Sequence, residues 1–354
     1  MPGAATLSPD PDDDTDVLDV ADLAPVVDRE IPSRLTVPPA SGGDRLDKAL
    51  ARLLPHVSRS RIRQWIEAGA VRLNGLVAAV PRTEVLGGDT LDLTAPPSAQ
   101  SVAFQPEPIA LDVVFADDSI IVLDKPPGLV VHPAAGNWSG TLLNGLLAYD
   151  PRLANLPRAG IVHRLDADTS GLMVVGRTAA AQVDLIRQLQ ARTVAREYWA
   201  ITFGAAREAG TIDAAIARDP RQRLRFKVST SDRAKPARTR YRSVSTATVD
   251  SQAFSWLACR LETGRTHQIR VHLESIGLPI VGDPVYRKGR PAAGPLAVKP
   301  WARFSRQALH ACRLGLVHPA TGRPMLWFRS PPDDMQKLMT ALGFDFRRSV
   351  EPMP

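Results

Sequence analysis

The chain has 354 residues, of which 44% are hydrophobic and 23% are charged, so it is long enough to bury the cores of two domains. No apolar run approaches the ~20 residues that span a bilayer, the N-terminus lacks the features of a secretory signal, and two cysteines are too few for a disulfide framework; we therefore expect a protein of the reduced cytoplasm rather than a membrane or secreted protein. The net charge of +7 favours a polyanionic partner over a neutral one.

The first forty residues differ in charge from the rest of the chain. Residues 1–40 contain nine acidic and two basic side chains, a net charge of −7, so the remaining chain carries +14. This segment has no aromatic residue and no hydrophobic periodicity, and we interpret residues 1–40 as a disordered acidic extension. The basic remainder favours a nucleic-acid partner, and a basic protein without such a partner is the alternative.

Residues 41–94 predict a small domain of two helices and a hairpin. In DRLDKALARLL, residues 44–54, apolar residues recur at the spacing of one buried helical face. The segment SRSRIRQWIEAG predicts a second helix, with Ser58 as its N-cap and Gly69 after its last turn. Asn74-Gly75 predicts a tight hairpin, and residues 85–93 predict a closing strand.

This small domain is rich in basic residues. Between residues 44 and 77, seven basic side chains face three acidic ones. Several cations occupy the start of the second predicted helix, where they oppose the helix dipole, and this arrangement predicts phosphates nearby. The alternative is a solvated basic face. The segment resembles the small αL RNA-binding module of ribosomal protein S-four, and the candidate RNA-binding residues are Arg45, Lys48, Arg59, Arg61 and Arg63.

A larger domain follows a proline-rich linker. We assign the linker to residues 95–108 and the domain to residues 109–347. The domain has strand-like runs LDVVFAD, SIIVLDK, GLMVVGR, REYWAITFG, FSWLACRLE and RTHQIRVHLE, with helical patterns in TLLNGLLAY and AAAQVDLIRQLQAR. This order predicts an α+β fold with a mixed, mainly antiparallel central sheet and flanking helices.

The stretch HRLDADTSGLMVVG, His163–Gly176, carries candidate chemistry. If residues 161–166 are extended, Arg164 and Asp166 share one face, and Thr169–Gly171 make a tight turn into a buried strand. A cation beside a carboxylate lowers its pKa, so Asp166 is expected to stay ionised. An ionised aspartate in a cleft can act as nucleophile or base toward a sugar or a heterocycle.

Two further runs supply candidate partners. In RTHQIRVHL, read as a strand, Arg270 lies on a polar face with Thr266, Gln268 and His272, and Asp166 is a suitable anion for it. A purely structural ion pair between strands is the alternative. In REYWA, Tyr198 can stack on a planar base or serve as an ordinary strand tyrosine.

A basic segment lies between residues 218 and 242. It contains ten basic side chains against two acidic ones. We interpret it as an RNA-backbone contact, with Arg223 and Arg225 as candidate residues; a solvated loop is the alternative.

Together these motifs resemble the RluA family of pseudouridine synthases, and within it the RluD-type branch. The matching segments are LDKPPGLVVHPAAG, HRLDADTSGLMVVGRT, REYWA, LETGRTHQIRVHLESIGLPIVGDPVY and RQALHACRLGLVHPATGRPM. They occur in the family's order across residues 43–347. The acidic residues before position 40 depart from the family pattern.

The resemblance implies specific roles. It implies a pseudouridine synthase fold. It also implies an enzyme that isomerises uridines of 23S, large-subunit ribosomal RNA by base flipping, and that needs no cofactor and no metal. It implies that Asp166 is the catalytic aspartate, that Arg164 enters the space left by the flipped base, that Tyr198 contacts the uracil, and that Arg270 pairs with Asp166. Whether Asp166 attacks the sugar, attacks the base or removes a ribose proton stays open. We expect a monomer.

Other functions remain to be tested at this point. The same family also acts on other ribosomal positions and on transfer RNA, and a non-catalytic RNA-binding assembly factor on this scaffold would not need Asp166. A metal-dependent hydrolase would use His132, His163, His267 and Asp166, although their spacing is unlike that of known metal motifs. A glycosidase would need a second carboxylate such as Asp168.

Overall fold

The computed structural model describes residues 33–55, 57, 59–94, 103–133, 137–222, 225–288 and 299–347, without the side chains of Arg61 and Pro300. The chain divides into two compact units, and the boundary lies between Gln105 and Pro106. We call the described residues on either side the N-terminal unit and the C-terminal unit. Within these ranges, every helix is too short or too polar to cross a membrane.

The N-terminal unit packs two helices on a four-stranded antiparallel sheet of order β1-β4-β2-β3. The buried face of the first helix and the stripe of Ile62, Trp65 and Ile66 form one core, as the apolar spacing predicts. Asn74 and Gly75 have φ of +49° and +82°, the left-handed pair that a tight two-residue hairpin requires. The elements are α1 (Leu46–Leu53), α2 (Arg59–Glu67), β1 (Arg34–Thr36), β2 (Val71–Leu73), β3 (Leu76–Val77) and β4 (Thr90–Leu93).

The predicted disordered extension is too long. Residues 1–32 and the predicted N-cap Ser58 lie outside the described residues, but β1 falls inside the segment 1–40 and pairs with β4, with Arg34 opposite Asp92. Val37 is fully buried in the core of the N-terminal unit. The prediction of disorder is therefore wrong for residues 33–40, because a three-residue strand depends on long-range pairing and leaves no periodicity of its own.

A nine-stranded sheet dominates the C-terminal unit. Its order is β5-β6-β7-β14-β8-β13-β12-β9, with β15 paired to the second half of β14, and β7–β14 is its one parallel pair among the described strands. A separate antiparallel pair is formed by β10 and β11. This mixed, mainly antiparallel sheet confirms the predicted fold class. The strands are β5 (Asp112–Ala116), β6 (Ile120–Lys125), β7 (Ser170–Gly176), β8 (Ala195–Phe203), β9 (Ala209–Asp213), β10 (Ile216–Arg218), β11 (Phe226–Val228), β12 (Arg238–Val249), β13 (Gln252–Leu261), β14 (Leu309–Val317) and β15 (Pro324–Phe328).

Helices cover both faces of this sheet. In β6, Ile121 belongs to the larger hydrophobic cluster, whereas its neighbour Val122 belongs to a second cluster together with Leu185. Adjacent strand residues therefore enter different cores, which explains why β6 and β7 are apolar at almost every position rather than alternating. The helices are α3 (Leu142–Tyr149), α4 (Ala179–Gln190), α5 (Gln268–Ser275) and α6 (Asp333–Ala341).

The run RTHQIRVHL is a helix, not the strand that its alternation predicts. Helix α5 begins after His267, whose backbone is left-handed at φ +58°, and every side chain from Gln268 to Glu274 is buried. A helix that is buried on all sides needs no polar stripe, so its sequence lacks the helical repeat of apolar residues. The alternation of apolar and polar residues in this run therefore resembled that of a strand. The side chain of Gln268 accepts hydrogen bonds from the Arg265 N–H and the Thr263 hydroxyl, which fixes the loop before the helix.

The turn in HRLDADTSG runs from Asp166 to Thr169, whereas the sequence predicts it at Thr169–Gly171. The Thr169 N–H donates to the Asp166 carbonyl at 3.0 Å, and β7 already begins at Ser170. Gly171 has φ +117°, and a Cβ there would lie 2.3 Å from the Ala311 carbonyl oxygen of β14. Only glycine permits this close strand contact, which places Asp166 at the end of the parallel pair β7–β14.

Candidate active site

Asp166 and Arg270 meet in the folded chain although 104 residues separate them. The Arg270 Nη1 donates to Asp166 Oδ2 at 2.9 Å. Asp166 comes from the turn before β7, and Arg270 comes from the first turn of α5. The Asp166 side chain remains 19% exposed, whereas that of Arg270 is 5% exposed, so the carboxylate faces the solvent side of the pair.

A second carboxylate holds the guanidinium in place. Arg270 donates from Nε and Nη2 to the two oxygens of Asp283, at 2.7 and 2.9 Å, and the Asp283 side chain is fully buried. The Tyr286 ring lies 5.0 Å from the Arg270 guanidinium carbon. A fork-to-fork arginine–carboxylate pair of this kind fixes the direction of the remaining N–H, which here points at Asp166.

The charges around Asp166 favour its ionised form. Burial by itself raises the pKa of this carboxyl, but His267 when it is protonated, together with the guanidinium groups of Arg270 and Arg164, outweighs burial and holds the pKa below its ordinary value. Ion pairing with the carboxylates in turn raises the pKa of Arg270, against the effect of burial. The site therefore contains an aspartate that is negative at neutral pH.

The turn that carries Asp166 is fastened from two sides. The buried Lys125 donates through Nζ to the carbonyls of Pro126, Leu129 and Ala167, at 2.7 to 2.9 Å. Burial lowers the pKa of Lys125 to about 7, although Asp166 and Asp168 oppose this shift. From the other side, Arg306 donates to the Asp168 carbonyl at 3.0 Å.

Arg306 also links this turn to the last described helix. Its Nε and Nη2 donate to the two carboxylate oxygens of Asp334 in α6, at 2.6 and 2.8 Å. The neighbouring Gln307 donates to the Thr169 hydroxyl at 3.2 Å. The position of the Asp166 turn is therefore set by side-chain hydrogen bonds from β6 and from the segment before β14, which is itself bound to α6.

A cleft that is open to solvent lies in front of Asp166, and its empty volume, open solvent included, is about 410 Å³. Arg164 and Arg265 supply cations to its wall, and Tyr198 of β8, which is 4% exposed, lies beside them. The rest of the lining includes the apolar side chains Leu165, Leu261, Ile269 and Leu309. The structure thus brings the four predicted catalytic residues, Asp166, Arg164, Tyr198 and Arg270, to one cleft.

The candidate RNA-binding residues of the N-terminal unit differ in their surroundings. Arg45 and Arg63 pair with Asp47 at 2.8 and 3.2 Å, and Lys48 pairs with Asp44 at 2.8 Å. Exposed ion pairs of this kind contribute little to stability, so a phosphate can replace the carboxylate at small cost. Arg59 is exposed at the first residue of α2, and the side chain of Arg61 lies outside the described part of the structure.

The basic segment 218–242 is partly neutralised by acidic groups of neighbouring strands. Arg238 and Arg240 both pair with Glu262, and Arg238 also pairs with Asp213. Arg223 lies outside the described residues. Arg225 was predicted to bind RNA, but its guanidinium pairs with Glu274 at 2.5 Å and lies 5.2 Å from the centre of the Tyr286 ring. Arg225 therefore forms an ion pair within the C-terminal unit, and its contact with RNA stays a prediction.

Sequence reasoning missed three residues of the site. Asp283, Tyr286 and Lys125 lie within motifs noted in the sequence, but nothing in their spacing predicts that they contact Arg270 or the Asp166 turn. A buried charged residue carries no periodic signal. The one signal in the sequence was the segment IGLPIVGDPVY, which contains Asp283. Its glycines and prolines indicate a sharp turn, but they do not indicate which side chain Asp283 contacts.

The metal-hydrolase hypothesis does not fit the described geometry. His163 is 1% exposed, and its Nε2 accepts a hydrogen bond from the Val174 N–H at 3.2 Å, so this nitrogen is directed into the sheet. Across the ranges that the structure describes, no three His, Cys, Asp or Glu side chains are grouped so that they could hold a metal ion.

Sequence models of two families match the chain. RNA pseudouridylate synthase matches residues 119–275, which contain Asp166 and Arg270, and the S4 domain matches residues 44–91.

Three proteins, each named ribosomal large subunit pseudouridine synthase D, are similar to this chain over most of their length. The protein of Neisseria meningitidis serogroup A is 47% identical, over 94% of this chain and 88% of that protein. The Nitrosomonas europaea protein is 50% identical, over 87% of each chain. The Escherichia coli K12 protein is 46% identical, over 86% of this chain and 92% of its own.

Two solved structures match part of this chain. Human RNA Pseudouridylate Synthase Domain Containing 1 is 25% identical, with a TM-score of 0.48 over 67% of this chain and 86% of that chain. Human RNA Pseudouridylate Synthase Domain Containing 4 is 24% identical, with a TM-score of 0.49 over 66% and 93%.

Proposed function

Because this chain belongs to the RNA pseudouridylate synthase family, we propose that it isomerises uridines of large-subunit ribosomal RNA to pseudouridine. The family and the enzyme class were predicted from the motifs, and the similarity over most of the chain confirms both. The names of the similar proteins specify the large ribosomal subunit, and the match to the S4 domain supports an RNA-binding module in this chain. The assembly-factor, metal-hydrolase and glycosidase hypotheses are set aside.

The observation that carries the proposal is the ionised Asp166 held by Arg270 at the mouth of a cleft. Isomerisation breaks the bond between ribose C1′ and uracil N1, turns the uracil, and joins C1′ to C5. The hydrogen on C5 is lost to solvent or a base, and N1 gains one, so the product is an isomer of the substrate. Asp166 supplies the negative charge for the first step, whether it attacks the sugar, attacks the base or removes a ribose proton.

The walls of the cleft suit a flipped nucleotide. Taking a base out of a stacked RNA costs a few kcal/mol, and contacts to the extruded nucleotide must offset that cost. We assign Arg164 to the space left by the base, Tyr198 to the uracil face, and Arg270 to holding Asp166 charged and aimed. The apolar lining favours a planar ring over a hydrated sugar.

The decisive experiment maps pseudouridine in large-subunit ribosomal RNA and in transfer RNA from cells with the gene, without it, and with Asp166→Asn in its place. We expect specific pseudouridines to be present only with the intact protein. If they persist in the Asp166→Asn strain, the assigned role of Asp166 is wrong. If they are lost from transfer RNA and retained in ribosomal RNA, the proposed substrate is wrong although the enzyme class stands.

A further inference from the structure

The Asp166 carboxylate has a neighbour on the side away from Arg270. Arg270 binds Oδ2, whereas the other oxygen, Oδ1, faces Nε2 of His267 at 3.8 Å. The His267 side chain is 20% exposed and lines the same cleft. The distance exceeds that of a hydrogen bond, but such contacts in empty active sites tighten when substrate binds.

The contacts of Tyr286 determine which nitrogen of His267 carries the hydrogen. The Tyr286 hydroxyl accepts the Phe226 N–H at 2.9 Å and lies 2.9 Å from His267 Nδ1. Tyr286 is 1% exposed, and a buried hydroxyl hydrogen needs an acceptor. Among its described contacts, that acceptor is Nδ1. The hydrogen of the neutral ring is therefore on Nε2, the nitrogen that faces Asp166.

The orientation of the ring is fixed as well as its tautomer. Phe226 and Tyr286 both pack edge-on against the His267 ring, at centroid distances of 5.7 and 5.6 Å. Burial lowers the pKa of His267, although Asp166 opposes this effect, so the ring is neutral at pH 7. Its left-handed backbone, φ +58°, turns the side chain into the cleft immediately before α5.

We propose that His267 is a positioning residue of the isomerisation, with Tyr286 fixing its tautomer so that Nε2–H is directed at Asp166 Oδ1. When the nucleotide enters, Arg270 holds one carboxylate oxygen and His267 holds the other. The carboxylate plane is then fixed relative to the substrate. This inference rests on the proposed function, because it assigns His267 a part in that reaction.

A pair of substitutions separates this role from a purely structural one. His267→Asn suits a left-handed backbone but is too short to place an N–H where Nε2 lies. His267→Gln strains the backbone but its amide reaches that position. We expect the single-turnover rate to fall about 10- to 100-fold in the Asn variant and less in the Gln variant, because small displacements of a reacting group are costly. RNA affinity is expected to stay unchanged in both.

The opposite order would overturn the proposal. If His267→Asn is as active as His267→Gln or more so, position 267 matters only for its backbone. Tyr286→Phe provides a second comparison, because it removes the hydroxyl that fixes the tautomer. Combined with His267→Asn, it should lower the rate little beyond the single change, whereas multiplicative losses would show that the two residues act independently.

A measurement on the unaltered protein keeps the test independent of variant folding. Nitrogen-15 NMR of the histidine rings is expected to show His267 neutral, with hydrogen on Nε2. Hydrogen on Nδ1 contradicts the proposal directly. Pseudouridine formation by the wild-type protein, run beside Asp166→Asn, reports separately on the proposed function, so that failure of the function and failure of the His267 role are distinguishable.

Discussion

At the scale of single residues, the site depends on how one carboxylate is kept negative while partly buried. Burial alone favours the neutral acid, and the cations around Asp166 reverse this preference. Asp283 does not reach Asp166 itself but fixes the guanidinium that does. The reactivity of Asp166 is thus set by residues from three separate segments of the chain.

The first prediction concerns the acid limb of the pH–rate profile. Because the pKa of Asp166 is lowered, its ionised form persists below the ordinary range of aspartate, and single-turnover activity is lost only as pH falls through that lowered value. Arg270→Gln removes the cation and lets burial dominate, so the acid limb should move up by about 1–3 pH units.

Arg270→Lys is the matched control for this prediction. It keeps a positive charge beside Asp166 and should shift the limb less than Arg270→Gln. Asp283 retains the N–H groups of Val285 and Tyr286 in both variants, which limits the loss of stability. An acid limb that stays in place in Arg270→Gln would show that Arg270 does not control the ionisation of Asp166.

The second prediction concerns Lys125. Lys125→Met removes the donor for three backbone carbonyls that join the 126–129 segment to the Asp166 turn. Its free energy of unfolding should fall by about 1–3 kcal/mol, since buried acceptors lose their partners. The reaction rate should fall more than RNA affinity does, as seen by comparing single-turnover rates with binding. Unchanged stability and rate would mean that the turn holds without this lysine.

At the scale of elements, the basic segment 218–242, which includes β10 and β11, contains two different kinds of basic residue. Arg225 is bound to Glu274, and Arg238 and Arg240 in β12 are bound to carboxylates of β9 and the segment after β13. Arg221, Arg233 and Lys235 are exposed, and none forms an ion pair with a described acidic residue. Only the second kind is free to exchange its counterions for RNA phosphates.

The third prediction follows from this difference. Replacing Arg221, Arg233 and Lys235 with Gln together should flatten the dependence of log K on log salt by about 2, at ~0.7 per phosphate contact of a single strand. The matched control is Arg238→Gln with Arg240→Gln, which removes cations that are already paired and should change the slope less. Equal slopes for the wild-type protein and the triple variant would mean that these three side chains face solvent and do not contact RNA phosphates.

At the scale of the whole molecule, the chain combines an acidic beginning with a strongly basic remainder. The first forty residues carry −7, and the other residues carry +14. Long-range charge of this kind acts mainly on the rate at which a polyanion associates, and salt screens it.

The fourth prediction tests that charge in the full chain. Replacing Asp12, Asp13, Asp14 and Asp16 with Asn raises the net charge by four and should speed association with ribosomal RNA at low salt. The effect should disappear at high salt, and the single-turnover rate of bound RNA should not change. Stopped-flow association at several salt concentrations measures both. Slower association in this variant would mean that the acidic residues assist binding.

The sequence by itself determined the chemistry and most of the elements. Helical spacing located α1, α2, α3 and α4, and apolar runs located β5, β6, β7, β8 and β13, whereas β9, β12, β14 and β15 were not predicted. The motif around Asp166, together with REYWA and RTHQIR, identified the family. These features depend on residue type and local spacing, which the sequence states directly.

Only the tertiary structure decided how the site is built. Helix α5 is buried on all sides, so its sequence has no amphipathic signal and was read as a strand. The sequence predicted the pairing of Arg270 with Asp166, but the contacts of Arg270 with Asp283 and of Tyr286 with His267 join segments that are distant along the chain or separated by a turn. Such contacts arise from the packing of elements against each other, and no local pattern encodes which buried side chains will meet.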